Sequence, residues 1–389
     1  MVTVRPAAAI AVVCASAACG GASPPATPSL EARHTPAAAP RPTPTPCDEN
    51  ALLAAWPLQR LAEQSIVVPV DEGDVALVRP EVAAGAGGVI LFGGAAPANL
   101  AAQLSALSAA APGGIAPLVM TDEEGGAVQR MANLVGNLPS ARQMAATLTP
   151  ARIQTLAMTT AESMRQAGIT MDLAPVLDLD SGSGPNDRDP DGTRSFSLDP
   201  LVTGRDALAF ARGLQAGGVI PVVKHFPGLG QASSNTDAAP ATTLPWSQVQ
   251  RSGLVPFEAA IQAGLPAVMV ANASVPGLSS LPASIDAAVI QGVLRGTLGF
   301  RGLVMTDSLS AAALADIGYP APRAVVAALQ AGADMELFSA RAADVAAVTS
   351  STVSAIVAAV TSGGLSTARL VDAARHVLTV KGVDLCTLP

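Results

Sequence analysis

The feature that most constrains the fold of this chain is a series of eight short apolar runs that alternate with longer amphipathic stretches. Apolar residues fill most positions of each run rather than every second one, which is typical of parallel strands buried on both faces. The runs are Ile66–Val70, Gly88–Phe92, Ala116–Thr121, Thr170–Ala174, Val219–His225, Ala267–Ala271, Gly302–Thr306 and Asp334–Phe338. Eight strand–helix units predict a single-domain α/β fold, the (β/α)8 TIM barrel, and a doubly wound open sheet is the main structural alternative.

The helical stretches between the runs have apolar residues at the spacing of one helix face. They are predicted at Pro97–Ala110, Ala151–Gly168, Thr203–Gly217, Ser247–Gly264, Asp286–Thr297, Ala321–Gly332, Ala342–Ser362 and Ser366–Thr379.

Composition excludes several classes of function. Half of the 389 residues are hydrophobic, so a large core is easily built, and the net charge is −8 without any block of basic residues. We therefore expect no nucleic-acid partner. Of the three histidines, His34 and His376 lie outside the predicted catalytic body, which argues against a His-based metal site. No glycine-rich loop precedes a Lys–Ser/Thr pair, so we expect no cofactor.

Residues 1–18 have the pattern of an export signal. A basic residue precedes the apolar run Ala7–Ala18, which at about 12 residues is shorter than the roughly 20 of a membrane-spanning helix. Small residues lead into Cys19, as in a bacterial lipoprotein signal where that cysteine is lipidated, although Ser16 stands where leucine is usual. The pattern predicts a protein lipid-anchored to the outer face of the cytoplasmic membrane, with ordinary secretion as the alternative.

Residues 19–46 are rich in Pro, Ala and Thr, a composition that favours extended chain and predicts a tether. The folded domain is expected over residues 47–389. Because Cys14 falls within the signal, Cys47 and Cys386 remain at the two ends of this domain. In an oxidising compartment they can form a disulfide, and two free thiols are the alternative.

Polar residues follow the predicted strands, where a barrel places its chemistry. Acidic residues follow the third predicted strand, a polar loop over residues 178–196 follows the fourth strand, and Asn272 follows the sixth strand. Asp307 ends the seventh, and a carboxylate at the mouth of a barrel can attack an anomeric carbon and form a glycosyl-enzyme intermediate. The alternative is that Asp307 caps the helix that follows.

Five further side chains are candidates for binding a ligand. Lys224 and His225 end the fifth strand as neighbours, and adjacent strand residues point to opposite faces, so both reach a ligand only if the strand bends. Asp122 and Arg130 flank a Gly–Gly turn and can hold vicinal hydroxyls. Arg194 lies in a polar loop. The alternative interpretations are a core histidine, local ion pairs and a loop-ordering pair between Arg194 and a nearby Asp.

These segments together resemble glycoside hydrolase family 3, and within it the bacterial exo-β-N-acetylglucosaminidases of peptidoglycan turnover. The segments are TDEEGGAVQR, APVLDLD, RSFSLDP, KHFPG and VMTDSLS, and the resemblance extends over residues 66–379. It implies a barrel of the single-domain type, a carbohydrate substrate and a retaining mechanism. Asp307 matches the family nucleophile. The residues that match the family's sugar-binding set are Asp122, Arg130, Arg194, Lys224 and His225.

The segment after KHFPG departs from the family pattern. The family has a histidine where Leu229 stands, and an Asp-x-His pair whose histidine is the general acid/base. In this chain the three positions of that Asp-x-His motif are occupied, in order, by Asn235, Thr236 and Asp237. The imidazole acid/base is therefore absent from this chain.

Three outcomes of this loss are open. Asp237 can supply the proton if its pKa is raised by burial or by a nearby charge. An acid from the NDRDPDG loop, namely Asp187, Asp189 or Asp191, is the second possibility, although this loop also has the character of a solvated turn. The third is a catalytically weak enzyme or a sugar- and muropeptide-binding lipoprotein, and a glycoside phosphorylase is a further alternative. We expect a retaining β-N-acetylhexosaminidase acting on peptidoglycan fragments, attached to the membrane only through its lipid.

Overall fold

The structure is a computed structural model, and it describes residues 47–387. Eight parallel strands form one sheet in which each strand from β1 to β6 pairs with the next along the chain and β8 pairs with β1. The strands are β1 Ile66–Asp71, β2 Gly88–Phe92, β3 Leu118–Thr121, β4 Met171–Asp172, β5 Ile220–Phe226, β6 Ala267–Val270, β7 Leu303–Thr306 and β8 Glu336–Leu337.

The sheet closes between β7 and β8. Met305 and Met335 form a parallel bridge, and the Thr306 N–H donates to the Met335 carbonyl at 3.0 Å. All eight predicted strands are confirmed, and because the sheet is closed the chain forms a (β/α)8 barrel rather than an open doubly wound sheet.

Helices surround the barrel at each of the predicted stretches. The α-helices are Glu49–Ala54, Leu58–Gln64, Arg79–Ala84, Leu100–Ser108, Ala132–Val135, Ala141–Thr147, Pro150–Gln166, Pro200–Ala216, Trp246–Gln248, Leu254–Gln262, Ala312–Ala315, Ala321–Ala331, Val345–Thr361 and Thr367–Val380. Wider π-helical turns occupy Val249–Gly253 and Ala288–Thr297. An apolar periodicity over ten residues cannot separate these wider turns from an α-helix.

The continuous apolar character of the strands has a direct cause. Alternate residues face two different cores: Val67 belongs to the cluster inside the barrel, and Val68 belongs to the cluster between strands and helices. Both are fully buried. Methionines fill much of the barrel interior, and Gly88 leaves room for two of them, since a Cβ there would lie 2.8 Å from the methyl groups of Met120 and Met335.

A disulfide joins Cys47 to Cys386 near the two ends of the described chain, with 6.0 Å between their Cα atoms. The stretch Ala342–Thr361 is long and apolar enough to cross a membrane, with a mean hydropathy of 1.6. Its helix packs on β1 and on two neighbouring helices, as a barrel helix does. The predicted signal, the lipidation site Cys19 and the tether over residues 19–46 lie outside the described residues.

Candidate active site

A cavity of about 300 Å³ opens at the carboxyl end of the barrel strands. This volume is at the lower end of small-molecule sites and suits a single ring. The seven side chains predicted for binding and catalysis all line it: Asp122, Arg130, Arg194, Lys224, His225, Asp237 and Asp307.

A short hairpin after β3 positions Asp122 and Arg130. Its turn contains Gly125 and Gly126, whose φ angles of +92° and +61° are unfavourable for other residues. The chain therefore returns toward the cavity, and Arg130 Nη2 lies 3.8 Å from Asp122 Oδ2. The contact is long for an ion pair, which leaves both groups available to a ligand.

The stronger partner of Asp122 is Lys224, at 2.8 Å, and the same ammonium lies 2.7 Å from Glu124 Oε1. Arg194 donates through Nε and Nη2 to the two oxygens of Glu124, both at 2.8 Å. No pattern in the sequence pointed to a role for Glu124, although Glu124 stands two residues after Asp122 and residues two apart in extended chain share a face. The alternative interpretation of Arg194, an ion pair with an Asp of its own loop, is the weaker contact here, since the Asp191 oxygen is 3.8 Å away and the Glu124 oxygen 2.8 Å.

The neighbouring charges determine the protonation of Glu124 and Lys224. Burial alone would raise the pKa of Glu124, but the charges of Arg194 and Lys224 outweigh it and hold the pKa well below its usual range. Burial likewise opposes the charge on Lys224, but Asp122 and Glu124 raise its pKa. These side chains are thus permanently charged hydrogen-bonding partners for hydroxyl groups.

Lys224 and His225 both line the cavity, although they are neighbours on β5. The peptide bond between them is cis, and the pairing of β5 with β6 shifts register between Val223 and Phe226. The register shift shows that the strand departs from regular alternation at Lys224 and His225, so both side chains can reach the cavity.

His225 is held by Asp178, which no pattern in the sequence had assigned. Nδ1 lies 2.6 Å from Asp178 Oδ2, and the same carboxyl accepts from the backbone N–H groups of His225 and Leu229. Burial raises the pKa of Asp178 to about 7, and when this carboxyl is ionised Nδ1 carries the proton and Nε2 is the acceptor left for the cavity. Burial, with the charge of Arg194, lowers the pKa of His225 to about 4, so the ring is neutral.

Asp307 follows β7, and its backbone N–H donates to the Val270 carbonyl at 3.0 Å. Among residues 47–387, its carboxylate accepts one hydrogen bond, from the Ser308 N–H at 2.7 Å. Burial raises the pKa of Asp307. The next helix begins at Ala312, with Ala311 as its cap residue, so the helix-cap alternative is wrong.

Asn272, noted in the sequence only as a polar residue after β6, links two elements of this wall. Its Nδ2 donates to the Ser308 carbonyl at 2.7 Å, and the Ser284 hydroxyl donates to its Oδ1 at 2.7 Å. Asn272 is buried, so these bonds restrain the peptide that follows Asp307.

The loop that carries Asp237 is held by one hydrogen bond within the loop and by two backbone hydrogen bonds to neighbouring segments. Asn235 Oδ1 accepts from the Asp237 N–H at 3.0 Å, and the Asn235 N–H donates to the Asp187 carbonyl at 3.2 Å. The Ala313 N–H donates to the Thr236 carbonyl at 3.0 Å. Asp237 is exposed at the mouth, and partial desolvation by the surrounding protein raises its pKa.

The three acids of the NDRDPDG loop have different environments. Asp187 is exposed, and the carboxylate of Asp189 accepts two backbone N–H groups of its own loop at 2.8 Å each. Asp191 is fully buried, and neither of its oxygens accepts a hydrogen bond from residues 47–387. Burial raises its pKa to about 8. The expectation of a solvated turn is therefore wrong for Asp191, since the loop folds inward.

Arg142 accounts for that inward fold. Its guanidinium donates to the carbonyls of Asp180, Gly192 and Ser195 at 2.7, 2.9 and 3.2 Å. A helix residue 38 to 53 positions before its partners thus anchors the loop. Sequence spacing carries no signal for such a contact.

Glycoside hydrolases act through a pair of carboxyl groups, and several carboxyl groups line this ring-sized cavity at the carboxyl ends of the barrel strands. Residues 79–380 match the family described as glycosyl hydrolase family 3 N terminal domain. The chain belongs to this family, as its motifs implied.

Three similar proteins illustrate the relationship. Beta-hexosaminidase LpqI of Mycobacterium tuberculosis (strain ATCC 25618 / H37Rv) is 37% identical over 307 residues, which cover 76% of this chain and 77% of the relative. The crystal structure of a family 3 glycosyl hydrolase from Mycobacterium smegmatis is 36% identical, with a TM-score of 0.77 over 87% of this chain and 99% of that one. The beta-N-acetylhexosaminidase from Beutenbergia cavernae is 33% identical, with a TM-score of 0.76 over 85% and 100%.

Proposed function

We propose that this protein is a retaining exo-β-N-acetylhexosaminidase that removes a terminal amino sugar from peptidoglycan-derived saccharides. The observation that carries the proposal is the carboxylate of Asp307, which faces a ring-sized cavity and accepts a single hydrogen bond. The names of the similar proteins, which are hexosaminidases, support the substrate class.

In the first step, a carboxylate oxygen of Asp307 bonds to C1 of the sugar, and the bond from C1 to the leaving oxygen breaks. Asp237 gives its proton to that oxygen. In the second step, Asp237 removes a proton from water, the water oxygen bonds to C1, and Asp307 leaves. Two displacements at C1 return the β configuration.

The paired charges hold the sugar during both steps. Asp122 and Glu124 accept from hydroxyl groups or orient the donors beside them, and Arg130, Arg194 and Lys224 donate. His225 presents an acceptor nitrogen because Asp178 occupies its other side. Charge-assisted hydrogen bonds of this kind are about twice as strong as neutral ones, so they suit a small polar ring.

Labelling tests the central step. A 5-fluoro-N-acetylglucosaminyl fluoride should inactivate the enzyme and increase its mass by one sugar, with the label on the peptide containing Asp307. The Asp307→Ala protein should bind N-acetylglucosamine but remain unlabelled. Label on another residue, or release of an α-configured first product, would overturn the proposal.

Two alternatives have distinct outcomes. Equal, near-zero rates of aryl-glycoside cleavage in wild type and Asp307→Ala would indicate a sugar-binding protein. Formation of sugar 1-phosphate in phosphate buffer, in place of free sugar, would indicate a phosphorylase, since phosphate enters more easily where no carboxylate base stands beside the acceptor.

We also propose export and lipid attachment at Cys19, followed by a tether over residues 19–46. The sequence pattern supports this, and the disulfide between Cys47 and Cys386 is compatible with an oxidising compartment. Cys19→Ala should move the protein from the membrane fraction to the medium or periplasm. Retention of the variant in the membrane fraction would overturn lipid attachment.

A further inference from the structure

Arg130 lines the sugar cavity, yet few contacts of its side chain hold it in place. The guanidinium lies 3.8 Å from Asp122 and 5.8 Å from the centre of the Phe92 ring. Arg130 Nε is buried and donates to no residue in the described range 47–387, and 33% of the side chain is exposed. The backbone that carries Arg130 must therefore set where the guanidinium lies.

That backbone is held by Glu123. Glu123 Oε1 accepts hydrogen bonds from the Arg130 N–H at 2.7 Å and from the Met131 N–H at 2.6 Å. Glu123 and Met131 are both fully buried. One carboxylate oxygen thus joins the segment that leaves β3 to the segment that returns after the Gly–Gly turn.

Glu123 is fixed in turn by the end of β4. Its own N–H donates to Asp172 Oδ1 at 2.9 Å, and Asp172 is fully buried. Its neighbours Asp122 and Glu124 line the cavity, whereas Glu123 does not. Alternation in extended chain places Glu123 on the side away from the sugar. From there it connects the barrel strand to the Arg130 backbone without touching a ligand.

We propose that Glu123 is a positioning residue, whose carboxyl sets the Arg130 backbone and thereby places the guanidinium beside Asp122 to bind the sugar. The inference rests on the proposed function, since it requires a sugar in the cavity. It assigns Glu123 to affinity rather than to the chemical step, because none of its hydrogen bonds to described residues involves Asp307 or Asp237.

Two substitutions separate the hydrogen-bond acceptor from the bulk of the side chain. Burial raises the pKa of Glu123 to about 7, so the neutral carboxyl is readily formed and a neutral amide is a close substitute. The amide oxygen of Glu123→Gln can accept the same two N–H groups. Glu123→Met has a similar length and no acceptor oxygen, and Glu123→Ala leaves space for water, so the test remains available if the methionine variant is unstable.

Calorimetry with N-acetylglucosamine measures the effect. Glu123→Met and Glu123→Ala should bind about tenfold or more weakly, the usual loss for one hydrogen bond to a charged group, whereas Glu123→Gln should bind like wild type. With a dinitrophenyl glycoside, KM should rise while kcat changes little. Thr170→Val is the matched control, because Thr170 Oγ1 also accepts a backbone N–H, from Val119 at 2.8 Å, near the other end of β3. It should leave the affinity unchanged.

A double-mutant cycle tests whether Glu123 acts through Arg130. Arg130→Met alone should weaken binding, and adding Glu123→Met to it should cause no further loss, because the group that Glu123 positions is already gone. A further loss of full size in the double variant would overturn the proposal. So would a Glu123→Gln protein that binds as weakly as Glu123→Met.

Hydrogen exchange separates this proposal from the proposed function. The Arg130 and Met131 amides should be protected in wild type and Glu123→Gln, and should lose protection in Glu123→Met and Glu123→Ala. If that protection is lost but the affinity for the sugar is unchanged, the function stands and the positioning role fails. If wild type neither binds nor cleaves amino sugars, the proposed function fails, and the exchange data still show whether Glu123 holds the Arg130 backbone.

Discussion

The carboxyl groups that line the sugar cavity fall into two sets, one that forms ion pairs and one that does not. On the side formed by the ends of β3 and β5, Asp122 and Glu124 both contact Lys224, and Arg194 adds a bidentate pair to Glu124. By contrast, Asp307, which follows β7, and Asp237, in the loop after β5, form no ion pair with any described residue.

The difference separates binding from chemistry. A paired carboxylate stays charged across the physiological range and serves as a fixed partner for hydroxyls. An unpaired carboxyl in a desolvated position has a raised pKa, so it can exchange a proton or form a bond at moderate cost. The ion-paired carboxylates Asp122 and Glu124 thus serve for binding, and the unpaired Asp307 and Asp237 are the reactive groups.

The largest effect is expected from Asp307→Asn, which removes the nucleophile without changing its size. Turnover should fall by at least about 10⁴-fold, in the range of other covalent nucleophiles. Because the ion-paired residues around Lys224 and Glu124 bind the hydroxyls, affinity for N-acetylglucosamine should change by only a few-fold. Steady-state kinetics and calorimetry measure the two quantities. Asp316→Asn, an exposed carboxylate elsewhere, is the control, and retention of a tenth of the activity by Asp307→Asn would refute the assignment.

Asp237→Asn should have the next largest effect. Loss of a general acid costs about 10² to 10⁴ in rate with alkyl glycosides and much less with dinitrophenyl glycosides, whose leaving group needs no proton. Asp237 must be protonated in the first step, so kcat/KM of wild type should fall as pH rises above its raised pKa. That alkaline limb should vanish in the variant, and azide should restore turnover as the β-glycosyl azide.

Asp187→Asn is the control for the acid, because this exposed carboxylate lies in the neighbouring loop. If it reproduces the losses of Asp237→Asn, or if the Asp237 variant keeps the alkaline limb, the proton comes from elsewhere.

Glu124→Gln tests the paired wall. The substitution removes the carboxylate that pairs with both Lys224 and Arg194. Removal of one partner of a buried ion pair lowers the free energy of unfolding by about 3 kcal/mol. Since the folded-state pKa is lowered, this contribution is present above the ordinary value of 4.5 and is lost as pH falls below it. Urea unfolding should therefore show a gap between wild type and variant at pH 7 that narrows in acid. Glu162→Gln, on an exposed helix position, should show no gap at either pH.

Much of the fold followed from the sequence because parallel barrel strands are buried on both faces. Val67 and Val68 face different cores, so each strand is a continuous apolar run that length and composition reveal. The ends of those runs placed Asp307, Lys224 and His225 correctly in the cavity for the same reason.

The missed interactions depend on tertiary packing. Glu124 and Asp178 gained roles only through partners 70 and 47 residues away, and no periodicity encodes such pairs. Asp191 lies in a polar, proline- and glycine-containing segment with the composition of a solvated turn, yet Arg142 binds that loop's carbonyls and turns it inward. Local composition predicts exposure only where no distant side chain anchors the loop.

Asp191→Asn gives the smallest expected effect and extends the comparison to a buried carboxyl that does not line the cavity. Burial, with the nearby Asp178 carboxyl, raises the pKa of Asp191 to about 8, so the folded protein holds a proton that the unfolded chain releases near pH 4. Its contribution to stability is complete below pH 3.8 and is lost as pH rises through about 8. Wild type should therefore lose at least about 1 kcal/mol between pH 5 and pH 8.5 relative to the variant, because one pKa unit corresponds to about 1.4 kcal/mol. Chemical denaturation at the two pH values measures this, with Asp187→Asn as the exposed control. If the free energy of unfolding depends on pH in the same way for wild type and Asp191→Asn, the Asp191 carboxyl is ionised in the folded protein. The contrast between paired and unpaired acids would then hold only for the groups that line the cavity.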